Sequence, residues 1–278
     1  MSPAPAPTRV LITGASSGIG AALARRYAAR GARLILAARR LDLLEAVAAA
    51  VHALGGEAIA TACDVARDGE VERAVAAGIA RFGGLDIAIA NAGFGVSGPV
   101  VGLALDDYRR LFETNVFGVL RTARAAHPAL RLTRGRFAVM GSVMGHIALP
   151  GSSPYAMSKF AVRALAMALR DEWRADGIAV TLISPGFVDS DFRRTDNAGR
   201  VHAGAPDPVP AWLRGDVDAA ARAMVRAIDR RARERVITLH GKALTWAYRH
   251  APGAMHALIR LTGARRTPRA AGASGEGP

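Results

Sequence analysis

Short runs of continuously apolar residues alternate along the chain with longer segments whose apolar positions recur every three or four residues. The runs are Arg9 to Thr13, Arg33 to Ala38, Glu57 to Ala62, Leu85 to Ala90, Arg136 to Gly141, Ile178 to Ile183 and Arg235 to His240. Between them the spacing predicts helices over about 18–30, 41–54, 68–82, 106–132, 154–175 and 216–231. Strands that are apolar at every position are buried on both faces, which means a parallel sheet covered by helices on both sides. With right-handed crossovers this is an α/β fold: one doubly wound, Rossmann-like domain over residues 9–241 with seven parallel strands. Residues 1–8 are expected to be a disordered lead-in, lacking the basic start and apolar run of a signal peptide. Residues 242–263 are expected to form an amphipathic C-terminal extension and 264–278 a disordered polar tail. The uncharged stretch Phe137 to Ser158 is long enough for a membrane span, but Gly141, Gly145, Pro150, Gly151 and Pro154 break it, so a buried strand plus loop is expected.

Ligands of doubly wound sheets bind beyond the carboxyl ends of the strands. After the first run comes Thr13-Gly14-Ala-Ser16-Ser17-Gly18-Ile19-Gly20, followed by a helix. Glycines there permit a tight turn and close backbone approach to a pyrophosphate, which rests on the amino end of that helix. A carboxylate closing the second strand would hydrogen-bond the adenosine ribose of NAD. This chain has Arg39-Arg40 instead, suited to clamping the 2′-phosphate of NADP, so NADP is the expected cofactor.

Lys159 and Lys242 are the only lysines among 37 basic residues. Lys159 stands four residues after Tyr155, so on a helix the phenol and ammonium share a face. A compact cation beside a phenol favours the phenolate, which predicts a lowered Tyr155 pKa and a general acid/base role. The single cysteine, Cys63, excludes an internal disulfide and fits a reducing, cytoplasmic compartment. The seven histidines show no ligand spacing, so no metal site is expected. The formal charge is +14, with most of the excess after Arg222 and little on the main body.

The ordered set Thr13 to Gly20, Asn91-Ala92-Gly93, Asn115, Ser142, Tyr155 with Lys159, and Pro185-Gly186 resembles the short-chain dehydrogenase/reductase family over about residues 9–240. That resemblance implies hydride transfer between NADP(H) and a carbonyl or secondary alcohol. Tyr155 would carry the proton, Lys159 would lower its pKa and bind the nicotinamide ribose, and Ser142 would donate to the substrate oxygen. Asn115 would hold a water that links Lys159 to solvent. By the same resemblance Asp64 and Val65 would hold the adenine edge, and Asn91, Ala92 and Gly93 the cofactor floor. Val188 and Ser190 would meet the carboxamide, Ser190 standing where the family usually has threonine. The alternative is a non-catalytic NADP-binding sensor or scaffold of the same fold, which the presence of all four catalytic positions argues against.

Three segments, Phe94 to Val100, Val143 to Pro154 and Phe187 to Arg214, are expected to line the substrate pocket. The first two are apolar and point to a lipophilic ketone, aldehyde or secondary alcohol. The third carries Arg193 and Arg194 and has the length of a mobile lid. His146 is a candidate to face substrate. Pro252 and Gly253 split the C-terminal extension into two segments with apolar and basic positions side by side. Packing on the body or on a sister subunit, as in the expected homo-oligomer, and peripheral contact with an anionic membrane both stay open for it. Nucleic-acid binding lacks a recognition motif there and is not expected.

Overall fold

In β1 (Arg9–Thr13), β2 (Arg33–Ala38), β5 (Arg136–Met140) and β6 (Ala179–Ser184) every residue after the first is buried, and β4 (Ile87–Ala90) is buried throughout. This is the pattern that continuously apolar strands require. The computed structural model describes residues 6–189, 192, 197, 202, 204, 206, 207 and 209–261. Seven parallel strands form one sheet in the order β3-β2-β1-β4-β5-β6-β7, with β3 (Glu57–Ala62) and β7 (Glu234–Val236) at the edges.

Alternate side chains of each strand feed two separate cores. Val10 and Ile12 pack with α1 (Gly18–Ala28), α2 (Leu41–Ala53) and α7 (Val217–Asp229). Leu11 faces the other way, towards α3 (Glu70–Phe82), α5 (Gly118–Thr133) and α6 (Ser153–Glu172). Phe137 is among the largest fully buried side chains and meets Trp173 edge-on at 5.4 Å. The chain winds outward through β2 and β3, then returns to lay β4 on the other side of β1. That reversal opens a crevice at the carboxyl ends of β1 and β4.

Two elements differ from the sequence expectation. The single helix expected over 106–132 is α4 (Leu105–Phe112), one π turn (Glu113–Phe117) and α5. The last strand stops after three residues, because the Thr238 hydroxyl accepts from the Gly241 N–H at 3.2 Å and starts α8 (Leu239–His250). A further helix, α9 (Pro252–Leu261), follows. No helix among the described residues is long and apolar enough to cross a membrane. Residues 1–5 and 262–278, and with them most of the expected lead-in and tail, lie outside the described residues.

Phe137→Ala should destabilise the fold by about 3–5 kcal/mol in chemical denaturation; a loss below about 1 kcal/mol would contradict the packing against Trp173.

Candidate functional site

The turn leaving β1 is fixed from the neighbouring strand end. The Thr13 hydroxyl accepts from the backbone N–H groups of Asn91 (3.1 Å) and Ala92 (3.2 Å). In return, the Asn91 side-chain amide donates to the carbonyls of Thr13 (2.9 Å) and Gly14 (3.1 Å). The backbones come so close that a Cβ on Gly14, itself at φ +66°, would lie 2.7 Å from the Ala92 Cα. α1 then starts at Gly18 with no side-chain cap and no acidic residue in its first turn. Its leading N–H groups thus remain available to an anionic ligand. Arg40 donates to the hydroxyls of Ser17 (2.8 Å) and Ser16 (3.2 Å), bringing the end of β2 over the turn. Arg39 and Arg40 are exposed and border the same cavity as Asp64, Val65 and the Asn91–Gly93 segment. An uncapped helix end beside the glycine turn fits the pyrophosphate of a nicotinamide dinucleotide.

The other strand ends and α6 supply the candidate catalytic side chains. Ser142 follows β5, and its hydroxyl accepts from the Met144 N–H at 3.1 Å. Tyr155 lies in the first turn of α6, and Lys159 one turn later places its Nζ 5.6 Å from the phenol ring centroid. That buried ammonium donates to the Met140 carbonyl at 2.8 Å. Asn115 is fully buried in the π turn, where its amide donates to the Phe94 carbonyl (2.9 Å) and the Ser158 hydroxyl (3.2 Å) and accepts from the Phe94 N–H (3.1 Å).

The electrostatics correct one expectation. Burial pushes the Tyr155 phenol up to about 12, and contact with the Ser142 hydroxyl works in the opposite direction. Burial also brings Lys159 down to about 8. Desolvation is therefore the dominant cause of the Tyr155 shift; the Lys159 ammonium lies over the phenol ring, 5.6 Å from its centroid, with its hydrogen bond directed at the Met140 carbonyl.

Pro185, Gly186, Phe187 and Val188 leave β6 and border the cavity, whereas Ser190, Arg193 and Arg194 lie outside the described residues. A residue that sequence reasoning missed holds this turn. His240 Nε2 accepts from the Phe187 N–H at 2.9 Å and meets the Thr238 hydroxyl at 3.1 Å, while its ring stacks on Phe187. A Cβ at Gly186 would collide with both His240 and Thr238. Burial lowers the His240 pKa, favouring the neutral ring that such an acceptor requires. No sequence signal marked His240, since its partner is a backbone N–H 53 residues away. His146, a candidate to face substrate, turns instead to Glu234 (2.9 Å) and Ser184 (3.3 Å) and does not border the cavity.

The cavity has a volume of 1330 Å³ and runs from the glycine turn past Tyr155. Its far wall includes apolar residues of the expected segments, such as Phe94, Val96, Ile147 and Leu149. Leu244 of α8 and Met255, Leu258 and Ile259 of α9 complete it, which the sequence reading did not foresee. The Phe192 ring packs 5.3 Å from that of Tyr155.

Known proteins are similar to this chain in both sequence and structure. The chain is 36% identical over 190 residues to dehydrogenase/reductase SDR family member 7B of Bos taurus, across 66% of this chain and 58% of the bovine protein. It is 39% identical over 185 residues to 11-beta-hydroxysteroid dehydrogenase A of Sesamum indicum, across 66% of this chain and 53% of the plant protein. The matched region thus spans little more than half the length of these two relatives. An alcohol dehydrogenase of the archaeon Thermococcus sibiricus, solved with 5-hydroxy-NADP, superposes with a TM-score of 0.73 at 29% identity, over 83% of this chain and 96% of that one. The profile of the short chain dehydrogenase family matches residues 8–200, a span that carries six of the seven strands together with Asn115, Ser142, Tyr155 and Lys159. With sequence and fold in agreement, the chain belongs to the short chain dehydrogenase family.

Proposed function

We propose that the protein is an NADP(H)-dependent oxidoreductase acting on a lipophilic carbonyl compound or secondary alcohol. The observation that carries this reading is the meeting of Ser142, Tyr155 and Lys159 in the wall of the same cavity that the uncapped amino end of α1 borders. The nicotinamide supplies or accepts the hydride, and the chain's own residues position and polarise. Ser142 and Tyr155 offer hydroxyls to one substrate oxygen, an oxyanion-type arrangement. Tyr155 delivers the proton on reduction and removes it on oxidation. With its pKa pushed up to about 12 the phenol is protonated at neutral pH and so holds the proton that reduction requires. Asn115 holds the Phe94 backbone on one side and Ser158 on the other, keeping the floor beneath Lys159 fixed. The apolar far wall supports the lipophilic substrate class. A non-catalytic scaffold is disfavoured, since it has no use for a buried lysine one helical turn from a half-buried tyrosine on the cavity wall.

Tyr155→Phe should lower kcat by roughly 10²–10⁴-fold with little change in NADPH affinity; retention of most activity would refute the proton-transfer role. Replacing Arg39 and Arg40 together by alanine should weaken NADPH binding about tenfold or more, since each lost charged hydrogen bond is worth about 1.5–3 kcal/mol, and leave NADH binding nearly unchanged. Equal or greater kcat/KM with NAD than with NADP in the unaltered enzyme would remove the cofactor preference.

His240→Phe should raise the Kd for NADPH about fivefold by releasing the 185–188 turn, with His240→Gln partly restoring it. The sign with pH follows from the lowered pKa. The neutral acceptor persists below the ordinary histidine value of 6.5 and is lost as pH falls through the lowered value, so its contribution is complete at neutral pH and disappears in acid. Cofactor titrations across that range should show the acid weakening in the unaltered enzyme and not in His240→Gln.

A further inference from the structure

α8 and α9 are poorly supported by the protein to which they are attached. Among the described residues, α9 has no buried residue and α8 has only Gly241. Helices of 12 and 10 residues are marginal without a packed face. Their inner sides contribute Leu244, Met255 and Ile259 to the cavity wall. On their outer sides Leu239, Trp246 and Leu261 are exposed at 83%, 66% and 84%. Leu239, Ala243 and Trp246 recur at helical spacing on α8, and Ala254 and Leu261 do so on α9.

Charge indicates what covers this face. Lys242, Arg249 and Arg260 are exposed on the same two helices. The sequence has no aspartate or glutamate from Arg235 to Gly275, whereas Arg265, Arg266 and Arg269 follow the hairpin. A second copy seated there by twofold symmetry would set like charges against like. A helix pair with tryptophan and leucine on one side, basic residues beside them and no acid is the composition of an interfacial element on anionic lipid.

We propose that the α8–α9 hairpin docks the protein on the surface of an anionic lipid bilayer. The same helices that wall the cavity then lie in the interface. A lipid-dissolved substrate can reach Tyr155 without crossing bulk water; this last step rests on the oxidoreductase reading, while the docking does not.

The test is flotation of the full chain with phosphatidylcholine vesicles, with and without phosphatidylglycerol, together with NADPH titration of the same preparation. Binding is expected to the anionic vesicles at low salt, to weaken as salt rises, and to be about tenfold or more weaker for neutral vesicles. The double variant Trp246→Glu and Leu261→Glu should lose vesicle binding and keep NADPH binding. Absence of flotation at low salt, or equal binding to neutral vesicles, would overturn the docking. So would a double variant that floats normally. If the vesicles do not bind and the double variant changes an oligomer into a smaller species in gel filtration, the face is a contact between copies and the proposal is wrong. NADPH titration separates these outcomes from a failure of the functional reading, since loss of cofactor binding in the unaltered protein bears on that reading alone.

Discussion

The amide of Asn91 joins the two halves of the sheet where they part. Carbonyl groups at the carboxyl ends of parallel strands run out of ladder partners, and a buried carbonyl must find one. At the β1–β4 reversal the carbonyls of Thr13 and Gly14 find the Asn91 side chain, and the Thr13 hydroxyl completes the exchange by accepting from two N–H groups of the next strand end. The crevice above therefore has a rigid floor, and α1, Arg40 and the Phe94 segment are placed relative to it. A loose joint here would shift the turn and the candidate catalytic wall independently of each other.

A second buried amide performs the corresponding task on the opposite wall. Asn115 sits in a π turn, which inserts one residue into the helical register and redirects a side chain inward. Its amide bonds to both backbone groups of Phe94 and to the Ser158 hydroxyl, so it ties the α4–α5 helix, the strand end after β4 and α6 together. Lys159 lies beside this knot with its ammonium directed at the Met140 carbonyl, and the low pKa near 8 is the energetic mark of that dry position.

Much of this was legible in the sequence because it depends on local pattern. Uniformly apolar strands, glycines between strand and helix, and a tyrosine and lysine one turn apart each carry their own meaning. What escaped were contacts between residues distant in the chain. His240 is engaged by the Phe187 N–H, and backbone donors leave no trace in side-chain chemistry. The π turn is hidden because Leu105–Thr133 keeps helical apolar spacing on both sides of it. The Tyr155 expectation erred for a related reason: the i,i+4 spacing gives proximity, whereas the pKa is governed chiefly by how much water the fold removes. Likewise the amphipathic character of the C-terminal segment could be read from the chain, but its position against the cavity could not.

The brevity of β7 has a consequence for how the sheet ends. Edge strands present unpaired N–H and C=O groups on which another chain can build. β7 offers three residues, Glu234, Arg235 and Val236, before Thr238 turns the backbone into α8, and two of those three are charged and exposed. A template so short and so charged cannot nucleate further strand pairing. Growth of the sheet is terminated at this edge by the chain itself, leaving helix faces as the material for any contact with another body on that side of the molecule.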